Sequence, residues 1–514
     1  MEESPFRMIE HIVVLMLENR SFDNLLGWLC DPANKPPFNR TPPVNFEGVY
    51  AKALTNQTGG GKKVPVEKCA DPTAPFPDPG EQFSDVYEQI YGTKMPTLAS
   101  GAKLVLPATA SMAGFVQNYE TKNAGNLSNA EIIMNGFIPS VAPVVSNLAY
   151  YYGICDHWFA SIPSQTLCNR SFMQAGTSSG YVNNEGGNGI VFVNDTTTIF
   201  NLLSDAGKSW KVYCGGWTVT SLVLLTQKRV WNFAVEPGYF EHLSDFLEDA
   251  QKPGGLPAYS FIEPNYIDSV VHGPENDMHP ESHRFQLFGH SNVEQGEKLV
   301  YQVYEAIRRS PDWEKILLLI VFDEHGGCYD HVPPPNTISP DRIVPPGQPG
   351  GTGFAFDRLG VRVPAIVVSA YTLPGTILNT TFDHTSALAT VERCLGLPKG
   401  RLGLREAQAA DLGEALKLDE PRQDEPVIPA PLSPDIGVAR RAEAIGTALA
   451  HAHSKPVSDL QRKILVGAAR RLGLSDAEQE TIANTNTAVA ADAELLKFEA
   501  ELVAQREKRR LGGR

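Results

Sequence analysis

Two apolar runs far apart in the chain each end in side chains that carry oxygen donors. Residues 12–17 and residues 316–322 are continuous apolar segments with β-branched members, the pattern of strands buried on both faces of an α/β sheet. The side chains that follow them are Glu18, Asn19, Asp323 and Glu324. Ligands of open α/β sheets bind beyond the carboxyl ends of the strands, so these residues predict a metal site there.

The rest of the first 400 residues also follows an α/β order. Residues 259–264 read as another strand that ends in an acid, and residues 293–309 have apolar positions at helical spacing. A strand pattern near residues 363–368 repeats the order of helix and strand. Residues 31–80 are rich in Pro, Gly and Asn and predict a long irregular excursion. We expect an α/β fold with a central, largely parallel sheet flanked by helices.

The end of the chain differs in composition. Residues 418–436 are rich in proline and acidic residues, which is typical of an extended connector. Residues 437–514 are rich in Ala, Leu, Glu and Arg and predict a helical C-terminal extension. We therefore expect a catalytic domain over residues 1–417, and the helical tail is a candidate for self-association. The sequence leaves the oligomeric state open.

Composition and charge narrow the classes of function. The chain has 514 residues, of which 42% are hydrophobic and 20% charged, and its formal net charge is −15. This charge argues against nucleic-acid binding, whereas a bound metal would still allow an anionic substrate. Seven cysteines without a CxxC motif indicate reduced thiols, although the sequence does not exclude one disulfide. The first apolar run is too short for a signal peptide, so we expect a cytoplasmic protein, with export by another route left open.

Residues with hydroxyl and imidazole groups add candidate chemistry. Thr166 precedes a predicted helix that begins near Asn169, where a phosphoryl group can bind the free amide groups of a helix start. An ordinary helix-cap residue is the alternative, and Ser164 is a competing hydroxyl. Histidine suits proton transfer near neutral pH. The histidines in polar loops are His279, His331 and His384.

Taken together, several motifs resemble the bacterial and plant phosphoesterase family. This family contains phosphatidylcholine-preferring and non-specific phospholipases C and an acid phosphatase branch. The resemblance covers roughly residues 8–398. The motifs are Glu-Asn-Arg-Ser-Phe-Asp from Glu18, Asn-Asp-x-His-Pro from Asn276, Asp-Glu-His-Gly-Gly-x-Tyr-Asp-His-Val-Pro-Pro-Pro from Asp323, and Phe-Asp-His-Thr-Ser from Phe382.

The resemblance implies an alkaline-phosphatase-like core with one divalent metal ion, for which Ca, Mg, Mn, Zn or Fe are candidates. It implies Thr166 as the nucleophile and His279 as the proton donor, with His283 and His290 as competitors for that role. Glu81 stands where many relatives have histidine, in a segment near the expected pocket. The implied metal ligands are Glu18, Asn19, Thr166, Asp323 and Glu324. The implied pocket residues are Glu81, His331 and His384.

The expected function is that of a metal-dependent phospholipase C. Thr166 would attack phosphorus, Asn19 would help stabilise charge on the phosphoryl oxygens, and His279 would protonate the leaving oxygen. The substrate would be a phospholipid such as phosphatidylcholine, with transient contact between the protein and a membrane surface. An acid phosphatase on the same site is the alternative, and a non-catalytic, metal-stabilised scaffold is the second alternative.

Overall fold

The protein is described by a computed structural model that covers residues 6–99, 101–124, 129–185, 191–269, 271–280, 292–342, 352–431, 457–485 and 487–512. Its strands form one sheet of eight strands and two pairs of short strands. The strands are β1 His11–Leu17, β2 Thr55–Gln57, β3 Lys63–Pro65, β4 Glu67–Cys69, β5 Asn135–Phe137, β6 Gly153–Cys155, β7 Trp210–Cys214, β8 Phe240–His242, β9 Tyr259–Glu263, β10 Ile316–Phe322, β11 Ala365–Ser369 and β12 Thr376–Leu378.

Helices surround the large sheet. The α-helices are Phe22–Leu25, Phe83–Tyr91, Phe115–Lys122, Pro143–Tyr151, Thr166–Ala175, Ile199–Asp205, Leu222–Thr226, Leu243–Asp249, Asn292–Arg308, His384–Leu395, Leu404–Gln408, Asp459–Arg471, Asp476–Ala483 and Ala488–Gly512. The 3₁₀ helices are Ala130–Met134, Thr218–Thr220, Lys228–Val235, Trp313–Lys315 and Leu412–Ala415. Among the described residues, no helix combines the length and the apolar character needed to cross a membrane.

The large sheet has the strand order β12-β6-β11-β10-β1-β9-β7-β8. Of its described strands, only β11 runs antiparallel to its neighbours. The two strands predicted from the longest apolar runs, β1 and β10, are adjacent and parallel in the middle of the sheet, and both are fully buried. The predicted α/β fold with a central, largely parallel sheet is therefore confirmed.

Other predicted elements differ in detail from the structure. The helix expected near Asn169 begins at Thr166, because the extended residue Gln165 already caps it. The predicted strand near residues 363–368 is β11, whose antiparallel direction the helix-and-strand order did not indicate. Within residues 31–80, β2 and β3 form a short antiparallel pair. All seven cysteines have free thiols.

The C-terminal helices pack on the catalytic part of the chain. Their buried apolar side chains include Ile464, Leu465, Leu495, Phe498 and Leu502. Gln461 donates a hydrogen bond from Nε2 to Glu275 Oε1 at 2.7 Å, and Glu499 accepts hydrogen bonds from Thr218 and Val219. The helical character of the tail is confirmed over the described residues. Its predicted beginning at residue 437 lies outside them, so the domain boundaries stay predictions.

Candidate active site

The register of the two central strands brings the predicted metal ligands together. Leu17 of β1 pairs with Phe322 of β10, so the residues that follow each strand lie side by side. The backbone N–H of Asn19 donates to Asp323 Oδ1 at 3.2 Å, which links the two strand ends directly. Asn19 has a φ of 58°, a left-handed conformation that asparagine adopts more readily than most residues. The four residues with 0% exposure at these ends are Glu18, Asn19, Asp323 and Glu324.

Two glycines let the neighbouring loops approach these strand ends. A Cβ on Gly326 would lie 2.2 Å from the carbonyl oxygen of Asn19. A Cβ on Gly327 would lie 2.6 Å from the carbonyl oxygen of Gly80. Both distances are far below van der Waals contact, so a side chain would push the loops apart. The Gly-Gly pair of the sequence motif therefore allows the loop that carries Glu81 to pack against the site.

Thr166 is the first residue of the helix Thr166–Ala175. Its Oγ1 is buried and has no hydrogen-bond partner among the described residues. The competing hydroxyl of Ser164 instead donates to the carbonyl oxygen of Val182. Gln165, between them, donates from Nε2 to Glu81 Oε1 at 3.2 Å and so joins the helix start to the site. Among the described residues, the Thr166 hydroxyl therefore has no hydrogen-bond partner, whereas the Ser164 hydroxyl donates a hydrogen bond.

Arg170 is a site residue that the sequence motifs did not assign. It lies one helical turn after Thr166 and is fully buried. Its Nε donates to Asp323 Oδ2 at 2.9 Å, and its Nη2 lies 3.4 Å from Glu18 Oε1. Nη2 also donates to two carbonyl groups at the end of β1. The sequence did contain a signal for Arg170, namely its spacing of four residues from Thr166, because residues at this spacing share one face of a helix.

Burial and mutual repulsion dominate the electrostatics of the carboxyl groups. Burial raises the pKa of Glu18 well above its ordinary value, although Arg170 opposes this effect. Burial also raises the pKa of Glu324 well above its ordinary value, and the nearby charges of Glu81 and Asp323 add to it. Buried carboxylates need a cation or hydrogen-bond donors to stay charged. Arg170 alone does not provide enough positive charge for this cluster.

His279 enters the site beside two carboxyl groups. Its Nε2 lies 3.6 Å from Glu81 Oε2, and its Nδ1 lies 3.8 Å from Asp78 Oδ1. Nδ1 is also 2.5 Å from the carbonyl oxygen of Pro280. Burial disfavours the imidazolium, but Asp78 and Glu81 outweigh it and raise the pKa of His279 well above its ordinary value. The two carboxyl groups therefore favour the protonated form of His279.

The loop that carries His279 is fastened to the first strand end. The backbone N–H of Glu18 donates to the carbonyl oxygen of Asp277 at 2.8 Å, and Asp277 Oδ1 accepts from the backbone N–H of His279. Glu81 also accepts a hydrogen bond from Asn19 Nδ2 at 2.5 Å. The alternative proton donors His283 and His290 lie outside the described residues. The structure thus brings Glu81 and His279 to the predicted metal ligands, while their roles stay predictions.

His384 is positioned behind Asp323 and not in an open pocket. Its Nε2 donates to the backbone carbonyl oxygen of Asp323 at 2.6 Å, and its Nδ1 accepts from Trp158 Nε1 at 3.2 Å. Burial lowers the pKa of His384 to about 4, so the ring is neutral near pH 7. In the structure His384 thus contacts the end of β10, and its predicted pocket role stays a prediction.

His331 belongs to a separate ion-pair cluster. Its Nδ1 is 2.6 Å from Asp23 Oδ2, and its Nε2 is 2.9 Å from Glu47 Oε1. Arg362 pairs with Asp23 and with Asp330 at 2.9 Å each. The ligand atoms of Asp23, Asp330 and His331 lie close enough together to hold a metal ion, and Arg362 pairs with both aspartates there. In the structure His331 thus pairs with Asp23 and Glu47, and its predicted pocket role stays a prediction.

The comparisons with known proteins agree with these motifs. The model of the Phosphoesterase family matches residues 9–398. Non-specific phospholipase C5 of Arabidopsis thaliana is 35% identical over 430 residues, which are 81% of this chain and 76% of the relative. Phospholipase C A of Mycobacterium tuberculosis is 28% identical over 451 residues, which are 80% of this chain and 78% of the relative.

A solved protein of the alkaline phosphatase superfamily from Vibrio parahaemolyticus aligns with 61% of this chain and 81% of its own. Its identity of 10% and TM-score of 0.30 are too low to support a conclusion. The family match and the curated relatives instead cover most of the chain at substantial identity. The chain belongs to the Phosphoesterase family and is a hydrolase of phosphoric esters of the phospholipase C type.

Proposed function

We propose that this protein is a metal-dependent phospholipase C that acts through a phosphothreonine intermediate. Its substrate is a phospholipid such as phosphatidylcholine, and its products are diacylglycerol and the phosphorylated head group. The names of the relatives support the substrate class. One observation carries the proposal for the site, namely a group of buried oxygen atoms without hydrogen-bond partners among the described residues. These atoms are Glu18 Oε1 and Oε2, Asn19 Oδ1, Thr166 Oγ1 and Glu324 Oε1.

The unpartnered atoms fit a divalent metal ion. Buried polar atoms in native proteins almost always have partners, so a cluster of unpartnered ones indicates a ligand. Every donor is an oxygen atom, which favours hard ions such as Ca²⁺, Mg²⁺ or Mn²⁺ over ions that prefer nitrogen or sulfur. Glu18, Asn19, Thr166, Asp323 and Glu324 would hold the ion. When bound, the ion lowers the pKa of a neighbouring hydroxyl and stabilises negative charge on the phosphoryl group.

The first chemical step is the attack of Thr166 Oγ1 on phosphorus. The hydroxyl lies at the positive end of the helix Thr166–Ala175, which favours an anionic phosphoryl group beside it. Arg170 holds Glu18 and Asp323 in place from the same helix. The side-chain amide of Asn19 stabilises charge that develops on the phosphoryl oxygens. The bond from phosphorus to the glycerol oxygen breaks as the bond to Thr166 forms, and the hydroxyl proton of Thr166 passes to solvent. Thr166 takes a proton back from solvent when the head group is released.

His279 supplies the proton for the leaving oxygen. Its raised pKa keeps the imidazole protonated near neutral pH, as a general acid requires. The neutral His279 then takes a proton from water, which attacks phosphorus and releases the phosphorylated head group from Thr166. Each turnover consumes one water molecule and returns both side chains to their initial state.

The test combines a substrate panel with substitutions of the proposed nucleophile. Thr166→Val keeps the side-chain shape but removes the attacking oxygen, so turnover of phosphatidylcholine should fall on the order of 10³-fold or more. Thr166→Ser should retain substantial activity because it keeps a hydroxyl. Protein treated with a chelator should be inactive and should regain activity with a divalent ion.

Two outcomes would contradict the proposal. Normal turnover by Thr166→Val together with an inactive Ser164→Ala would assign the nucleophile to Ser164. Full activity of protein that elemental analysis shows to be metal-free would exclude the metal-dependent mechanism. Hydrolysis of para-nitrophenyl phosphate without hydrolysis of phosphatidylcholine would instead favour the phosphomonoesterase alternative.

A further inference from the structure

Glu81 connects three parts of the site through its carboxylate. Its Oε2 accepts a hydrogen bond from Asn19 Nδ2 at 2.5 Å, and its Oε1 accepts one from Gln165 Nε2 at 3.2 Å. Its Oε2 also lies 3.6 Å from His279 Nε2. These partners belong to the end of β1, the residue before Thr166 and the loop of the proposed general acid. The carboxylate therefore lies beside the place where the phosphoryl group must bind.

The partners of Glu81 stabilise its charged form. A carboxylate accepts hydrogen bonds with both oxygens, and two side-chain amides donate to this one, beside the imidazole of His279 and the carboxyl group of Glu324. The side chain is only 17% exposed, so water screens its charge incompletely. A fixed negative charge at this position acts on every substrate that enters the site.

The effect of this charge depends on the charge of the substrate. A phosphodiester carries one negative charge on its phosphoryl group, whereas a phosphomonoester carries about two above pH 7. A nearby carboxylate therefore repels a monoester more strongly than a diester. This difference does not depend on which metal ion the site holds, because removal of one fixed charge always helps the dianion more than the monoanion.

We propose that Glu81 is a specificity-determining residue that selects phosphodiesters against phosphomonoesters. The inference rests on the proposed function, since it assigns the diester preference of that same site to one side chain. A cationic head group on the diester is compatible with this carboxylate and reduces the net charge of the substrate further. In this chain Glu81 thus strengthens the preference of the site for phosphodiesters.

The experiment compares two soluble substrates with the same leaving group at pH 8. Bis(para-nitrophenyl) phosphate is a monoanionic diester, and para-nitrophenyl phosphate is a dianionic monoester. Glu81→Gln and Glu81→His both remove the charge at this pH, whereas Glu81→Asp keeps it as the matched control. Each variant is loaded with the same divalent ion, and ion binding is measured by calorimetry. The measured quantity is kcat/KM for the diester divided by kcat/KM for the monoester.

The charge-removing variants should lower this ratio on the order of tenfold or more, mainly through faster hydrolysis of the monoester. Glu81→Asp should keep a ratio close to that of the wild type, and a distant exposed substitution such as Glu248→Gln should not change it. One folded charge-removing variant is sufficient for the test. An unchanged ratio in such a variant overturns the inference about Glu81. If that variant still hydrolyses the diester, the proposed function is unaffected.

Two further outcomes are equally decisive. Loss of divalent-ion binding in Glu81→Gln would make Glu81 a metal ligand and overturn its role in selection. A wild-type protein that hydrolyses neither phosphatidylcholine nor the soluble diester would refute the proposed function itself.

Discussion

Replacement of Arg170 by methionine removes a guanidinium that pairs with both strand ends. Arg170 donates to Asp323 at 2.9 Å, lies 3.4 Å from Glu18 and donates to two backbone carbonyl groups, all in a fully buried position. Methionine fills a similar volume but leaves both carboxyl groups without their cation. Removal of one partner from a buried ion pair costs about 3–5 kcal/mol. That is a large fraction of a typical net stability of about 5–15 kcal/mol.

The measurement is the unfolding temperature of metal-free protein by differential scanning calorimetry. At roughly 1 °C for each kcal/mol in a chain of 514 residues, Arg170→Met should unfold about 3–5 °C below the wild type. A saturating divalent ion should reduce this difference, because an ion that binds only the folded protein stabilises it and neutralises the same carboxylates. Arg405→Met is the control, since Arg405 is also buried but pairs with Asp383. Its loss of stability should not respond to the ion.

Two results would refute this reasoning about Arg170. An unfolding temperature of metal-free Arg170→Met within about 1 °C of the wild type would mean that the buried carboxyl groups do not need the guanidinium. An equal response of the Arg170→Met and Arg405→Met proteins to the ion would mean that the ion does not bind at the strand ends.

Two further predictions concern groups outside the reacting centre. Burial disfavours the charged form of His331, but the charge of Asp23 outweighs burial and raises the pKa of His331. The charged imidazole therefore stabilises the folded protein fully below the pKa that His331 has in the unfolded chain. This stabilisation is lost as pH rises through the pKa of His331 in the folded protein. His331→Asn should therefore destabilise the protein more at pH 5.5 than at pH 9 in thermal unfolding, and an equal loss at both pH values would contradict this. Gln461→Ala should lower kcat severalfold because Gln461 holds Glu275 in the loop of His279, whereas Gln479→Ala should not. Wild-type kcat in Gln461→Ala would show that the tail does not position this loop.

The strand ends were predictable because their signal is local in the sequence. A buried parallel strand needs a continuous apolar run, and polar residues directly after it must lie at the sheet edge. The same argument placed Glu18, Asn19, Asp323 and Glu324 correctly at neighbouring ends of β1 and β10. The pairing of those two strands is not local. It rested on the motif resemblance, since no periodicity joins residues 12–17 to residues 316–322.

The missed features depend on contacts between distant segments. Arg170 lies in the helix Thr166–Ala175, and nothing near it in sequence shows that its partners follow β1 and β10. The direction of β11 is set by its pairing with β10 and β6, which an apolar run cannot encode. His331 and His384 occur in polar motifs after apolar segments, and that pattern does not separate a reactive histidine from a structural one.

The two long motifs supply two different acidic clusters, and each cluster pairs with a different buried arginine. The first motif has one acid at the strand end and the second motif has two, and each has a further acid several residues later. Arg362 pairs with the later acids, Asp23 and Asp330, and no oxygen of these two carboxylates is among the buried unpartnered atoms of the described residues. Burial raises the pKa of Asp23, but His331 and Arg362 outweigh it, so the net shift is downward.

The strand-end cluster, in contrast, contains carboxylate oxygens without hydrogen-bond partners among the described residues. Arg170 pairs with Glu18 and Asp323, yet both oxygens of Glu18 and one of Glu324 have no hydrogen-bond donor among the described residues. Burial raises the pKa of Glu18 and of Glu324 well above their ordinary values despite Arg170. Burial also raises the pKa of Asp330 in the Arg362 cluster, so both clusters hold a carboxyl group whose charged form burial disfavours. The strand-end cluster differs from it, among the described residues, in its unpartnered carboxylate oxygens. This difference is our reason for proposing the strand ends, and not the Arg362 cluster, as the place where a cation would bind.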